Sequence, residues 1–199
     1  AFPGGRGGGA GVHADPPDPL SVGLPLYAVS ALDAPPALLG ILYTLNTSLV
    51  ATGQLLVRRL QRRARRTHAM ALAATVFIVS CALYATAALF PPGASRIAVL
   101  VAATLVFTVA ELMHATPSAA LAASVAPAEL RGRYLAVHQM TWSVGQVVAP
   151  AGFSVLVAAA PVLLWAVLAV LLGIACAGLL LLSRRLPAAA IRPSEPVRS

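Results

Sequence analysis

Residues 162–182 read VLLWAVLAVLLGIACAGLLLL, an unbroken run with no charged residue and no proline. At about 1.5 Å of rise per residue, such a run is roughly 30 Å long as a helix, the thickness of a bilayer's hydrocarbon core. No water is present there to take up backbone hydrogen bonds, so the run is expected as a helix and not a strand. Four further stretches have the length and apolar content to do the same: Ala37–Val57, Ala69–Phe90, Ile97–Ala126 and Tyr134–Ala160. Pro117 and Pro150 lie inside the last two. Each removes a backbone donor and kinks or locally opens its helix, which neighbouring helices tolerate.

Composition agrees. Of 199 residues, 59% are hydrophobic and 10% charged, against roughly a quarter charged in an ordinary soluble domain. Mean hydropathy is +0.84. These values exclude a water-soluble globular protein, and also a disordered chain, which is poor in apolar residues. Cys81 and Cys176 both sit inside apolar runs, so a disulfide scaffold is excluded too.

Fourteen basic residues against six acidic give +8, and every basic residue is Arg. They fall between the apolar runs rather than along a folded polar face, which points to a lipid bilayer as partner and not to nucleic acid. Arg58, Arg59, Arg62, Arg63, Arg65 and Arg66 follow the first run, and Arg131 and Arg133 follow the third. Arg184, Arg185, Arg192 and Arg198 follow the fifth, while Arg6 and Arg96 lie on the other side. The positive-inside rule then puts the Arg-rich loops and the C-terminus in the cytoplasm, and residues before Ala37 outside. The expected location is the cell membrane, as a multi-pass protein.

The ends are different material. Residues 1–20 hold six Gly and four Pro and are expected to be disordered or a linker. Residues 21–36 are apolar at first but too short to span. Residues 37–186 form the expected five-helix membrane domain, and 187–199 a polar cytoplasmic tail. A start on Ala1, with no signal-peptide pattern, leads to the expectation of a fragment or truncated product.

Glu111 is the one acid within a span, and it falls near the middle of its run. A carboxylate at that depth costs at least about 2.5 kcal/mol on insertion scales. Thr104, Thr108, His114 and Ser118 share its helix face. One reading is a proton or substrate site. Removal from water favours the neutral carboxyl, and a His three residues on can tune or relay the proton. The other is a structural carboxyl hydrogen-bonded between helices. In the first run, Tyr43, Asn46, Thr47 and Gln54 share a face. In the fourth, Gln139, Ser143, Gln146 and Pro150 do so, with His138, Trp142 and Gly145 beside them. Such groups suit either a cavity for a small organic ligand or hydrogen bonds between helices. The Arg58–Arg66 cluster enforces topology and meets anionic headgroups, or else regulates.

Several chemistries lack their motifs. There is no Walker glycine loop, no Cys/His cluster at metal spacing, no G-x-S-x-G and no H-E-x-x-H. No cofactor, no metal and no catalytic residue is expected.

Residues 126–134, APAELRGRY, resemble the loop joining the tenth and eleventh helices of the major facilitator superfamily, most closely in bacterial multidrug-efflux-type members. Glu111–Pro117 (ELMHATP) resembles that family's tenth helix, and Trp142–Gly152 (WSVGQVVAPAG) its eleventh. Leu24–Tyr27 (LPLY) is similar to the outer end of the seventh helix, and Ala37–Arg66 to the eighth helix and its following loop. That loop departs from the family pattern: Gly53 and the Arg run are present, but the usual Asp is not.

The resemblance implies an all-α integral membrane fold of about five transmembrane helices, corresponding to helices eight to twelve. Most of the seventh helix and the whole six-helix first half are not represented. It implies a transporter, proton-coupled, exporting small amphipathic compounds, with Glu111 and His114 at the proton. Tyr43, Asn46, Gln54, Gln139, Trp142 and Gln146 would line the substrate cavity. Glu129, Arg131, Gly132 and Arg133 would form the loop motif. This fold binds substrate between two six-helix halves. The missing half is therefore an expected partner, from the same gene or another chain, and the competing reading is a non-transporting remnant.

Overall fold

The computed structural model describes residues 19–61 and 64–184. The Gly/Pro-rich start, Arg62, Arg63 and the tail from Arg185 lie outside the described residues. There are six α-helices among the described residues: α1 (Pro19–Leu32), α2 (Pro36–Gln61), α3 (Arg66–Thr86), α4 (Ala94–Val125), α5 (Arg131–Ala159) and α6 (Pro161–Ser183). Among the described residues there is no strand. The last five helices are long and apolar enough to cross a membrane, while α1 is too short.

Proline and glycine set the breaks. Pro35 and Pro36 stop the chain from continuing α1, and Pro36 opens α2, where a missing N–H costs nothing. Asp33 takes a left-handed φ of 48° at that break, a conformation Asp tolerates better than most residues. The regular α3 ends at Thr86, and a 3₁₀ turn (Ala87–Leu89) leads into Pro91 and Pro92. Gly93, at φ 128°, then makes a turn closed to ordinary side chains. Arg96, in the first turn of α4, folds back over these breaks. Its Nε and Nη2 donate to the Phe90 carbonyl, and its Nη1 donates to the Leu32 carbonyl at the end of α1. Carbonyls that helix termini leave without partners are thus satisfied.

The core gathers towards the helix ends away from the arginine clusters, on the side that carries Arg96. It holds Leu24, Tyr27, Ala28 and Leu32 of α1, Leu38 and Leu42 of α2, and Cys81 and Tyr84 of α3. Leu100, Ala103 and Phe107 of α4, Phe153 and Val157 of α5, and Leu164 and Trp165 of α6 complete it. Trp165 is its centre. Its ring stacks on Tyr84 with centroids 4.4 Å apart and meets Tyr27 edge-on at 5.3 Å. The Tyr27 hydroxyl donates to the Tyr84 carbonyl. Three helices distant in sequence, α1, α3 and α6, are fastened by one aromatic group.

Towards the arginine-bearing ends the packing opens. α1 meets α5 near Phe153 and Val157. The preceding stretch of α5 is mostly exposed, including Val137, Val144 and Val147. At about 1.5 Å per residue, the 14 residues of α1 cover only half the length of the 29 of α5.

This asymmetry makes a direct prediction. Trp165→Ala empties the site between two buried tyrosines and should cost about 3–5 kcal/mol. Val147→Ala, on the exposed face of α5, should leave stability nearly unchanged. Thermal unfolding of the two variants in detergent would separate them.

Candidate functional site

The polar face of α4 meets two different helices. Near its start, Thr104 gives its hydroxyl proton to the Leu100 carbonyl at 2.9 Å. Its oxygen is then the acceptor in the 2.8 Å contact with the Tyr84 hydroxyl of α3. One turn on, Thr108 donates to the Thr104 carbonyl at 2.8 Å and turns its oxygen to α2. There Asn46 Nδ2 donates to Thr108 Oγ1 at 2.9 Å and to Glu111 Oε2 at 3.0 Å. Both amide protons of Asn46 are therefore committed to α4. Asn46, Thr104 and Thr108 are buried, while Glu111 is half-buried.

Glu111 opens on a cleft of about 340 Å³ lined by Val50, Gln54 and Arg58 of α2 and by Glu111, Leu112, Ala115 and Thr116 of α4. An acidic, a basic and an amide side chain thus line one small space. At Gly53 the backbone of α2 lies directly against the Leu112 side chain of the cleft wall. A Cβ there would lie 2.8 Å from Leu112 Cδ1. Arg58 and Thr116 also line a second space of about 300 Å³, bordered by Gln61, Arg66 and Pro117, so the two adjoin. This arrangement can hold one proton or a small cationic or hydrogen-bonding group against Glu111, within reach of the arginine-bearing end of α2.

The other candidates lie as follows. His114, half-buried, sets its ring edge-on to Phe77 of α3 with centroids 6.4 Å apart. Tyr43 is half-buried on α2, and Gln54 is exposed but lines the cleft. Gln139 is exposed and Gln146 half-buried, both on α5 and not on the two helices that build the cleft. Trp142 belongs to α5, but its side chain is outside the described ones. Glu129 sits in a 3₁₀ turn (Ala128–Leu130) ahead of α5, where a negative charge suits a helix start. Arg131, Gly132 and Arg133 form the exposed first turn of α5, and nothing lies within 4 Å of a Cβ built on Gly132.

No sequence pattern singles out Gln61, yet its Nε2 donates to the Met113 carbonyl of α4 at 2.9 Å. Gly53 was noted only as part of a loop pattern. A glycine inside an apolar helix gives up about 1 kcal/mol of helix propensity relative to alanine, a hint of close helix approach.

Asn46→Leu keeps the volume but takes a donor from Glu111 and another from Thr108. The loss should cost about 1–3 kcal/mol, read as a lower thermal midpoint in detergent.

Residues 19–199 match the family model of the Major Facilitator Superfamily. No individual curated protein matches the chain, and no solved structure does. With a match over nearly its whole length and five helices fit to span a bilayer, this multi-pass membrane protein belongs to the Major Facilitator Superfamily of small-molecule transporters.

Proposed function

We propose that this chain is the C-terminal half of a proton-coupled exporter of small amphipathic compounds in the cell membrane, with Glu111 as the group that takes up and releases the proton. The observation that carries the reading is the setting of Glu111. It lies mid-helix in α4, is held by Asn46 of α2, and faces a cleft shared with Gln54 and Arg58. A carboxyl in hydrocarbon is costly, and a structural one would be closed in by its partners, whereas this one keeps an opening. His114, one turn on, is the partner for proton relay. The arginine-bearing ends face the cytoplasm by the charge rule, so the cleft opens towards that side.

Substrate would meet Tyr43, Asn46 and Gln54 from α2 and Gln139, Trp142 and Gln146 from α5. Apolar surface interrupted by amides and aromatics fits amphipathic compounds rather than highly charged ones. The exposed face of α5 supports the need for an opposing bundle, supplied by the same gene or by a partner chain. The Glu129, Arg131, Gly132 and Arg133 turn would work at that cytoplasmic boundary.

The test uses the full-length protein in inverted vesicles, with ethidium as the probe and an imposed pH gradient as the drive. Glu111→Gln should lower gradient-driven ethidium transport at least tenfold, and Glu111→Asp should retain a measurable part of it. Undiminished transport in Glu111→Gln would overturn the assignment of Glu111. A lack of transport by wild type, with every helix of the fold present, would favour the non-transporting reading.

A further inference from the structure

Pro117 has no N–H, so the carbonyl four residues before it in α4, that of Met113, lacks its ordinary helical donor. In hydrocarbon such a carbonyl needs a replacement partner. It has one from outside the helix: Gln61 Nε2, from the last residue of α2, donates to the Met113 oxygen at 2.9 Å. Beyond this bond, one side of α4 borders open space, although Pro117 and Ser118 are themselves buried. Thr116, Pro117 and Ala120 border the space of about 300 Å³ that Gln61, Arg58 and Arg66 close from the other side. A proline that weakens the helix, an open space against the weakened turn and a side chain bridging the break all occur at one place. The carboxyl of Glu111 lies two residues before the bridged carbonyl, and α2 grips that residue as well, through Asn46.

We infer that Gln61 is the latch of a hinge in α4 at Pro117: its bond to Met113 holds the helix in its present course, and its release lets the segment after Pro117 swing into the adjoining space. α2 thereby holds α4 on both sides of the site, by Asn46 at Glu111 and by Gln61 at the hinge. A shift of α2 that follows a change of charge at Glu111 strains the latch directly. This coupling rests on the proton-site reading of Glu111; the latch itself does not.

A double-substitution cycle in the full-length protein tests the latch. Gln61→Leu removes the donor, whereas Pro117→Ala restores an N–H to the helix at the position that serves Met113. Gln61→Leu alone should lower the thermal midpoint in detergent by about 2 °C, the size of one lost buried hydrogen bond in a protein of about twice this length. In the Pro117→Ala background the same substitution should shift the midpoint by less than about 1 °C. In ethidium transport, Gln61→Leu should change the maximal rate at least threefold with KM unchanged, and this effect too should vanish beside Pro117→Ala. Equal midpoint shifts in both backgrounds would overturn the latch. If the midpoint cycle shows the coupling but Glu111→Gln transports normally, the latch stands and the proton-site reading falls.

Discussion

A polar group inside a bilayer has no water to bond with, so leaving one unpaired there is costly. That constraint organises the contacts around α4. Its face carries Thr104, Thr108 and Glu111 at successive turns, and Pro117 frees the Met113 carbonyl further on. Each demand is answered by a neighbouring helix: Tyr84 of α3 for Thr104, Asn46 of α2 for Thr108 and Glu111, and Gln61 of α2 for Met113. The bonds add modestly to stability one by one, at about 1 kcal/mol each. Their larger effect is to set the register of α4 against its neighbours, since a slip of one turn would leave several buried groups unpaired.

The same bundle is tight at one end and open at the other, and the difference follows from side-chain volume. Tyr27, Tyr84, Trp165, Phe153 and Phe107 all lie towards the ends away from the arginine clusters, where large rings fill the space between helices. Towards the arginine-bearing ends the facing residues are small, such as Ala64, Ala69, Ala115 and Ala120, and two adjoining spaces remain. A close-packed interface resists displacement because every shift forfeits contacts; a helix bordering a void does not. Glu111 stands at the transition between the two regimes, one end of its helix anchored and the other with room beside it.

Much of the fold was legible in the order of residues, because hydropathy is a property of the chain itself. Five apolar runs of spanning length, the arginines between them and the prolines inside two of them all follow from composition along the sequence. The polar stripe of α4 was legible too, from helical spacing. Its partners were not. Asn46 and Glu111 are 65 residues apart, and no periodicity within either run links them. Nor does any local pattern single out Gln61, whose role exists only because Pro117 lies 56 positions later in a helix that happens to pass beside it. Tyr27 was read within a stretch too short to span, yet it is wholly buried, since α1 is packed by its aromatic contacts rather than by its length.

The sequence by itself determined that this is a helical membrane chain, how many times it is fit to cross, and where an acidic residue falls within the spans. Hydrophobic transfer and the rule that backbone groups must be satisfied in lipid suffice for that, as both act on each segment separately. The tertiary structure alone decided which groups meet: that Asn46 holds Glu111, that Gly53 lies against Leu112, and that Gln61 supplies a donor to Met113 at the Pro117 break. Those pairings depend on how helices cross, and crossing is set by the packing of side chains from different segments, which no single segment encodes.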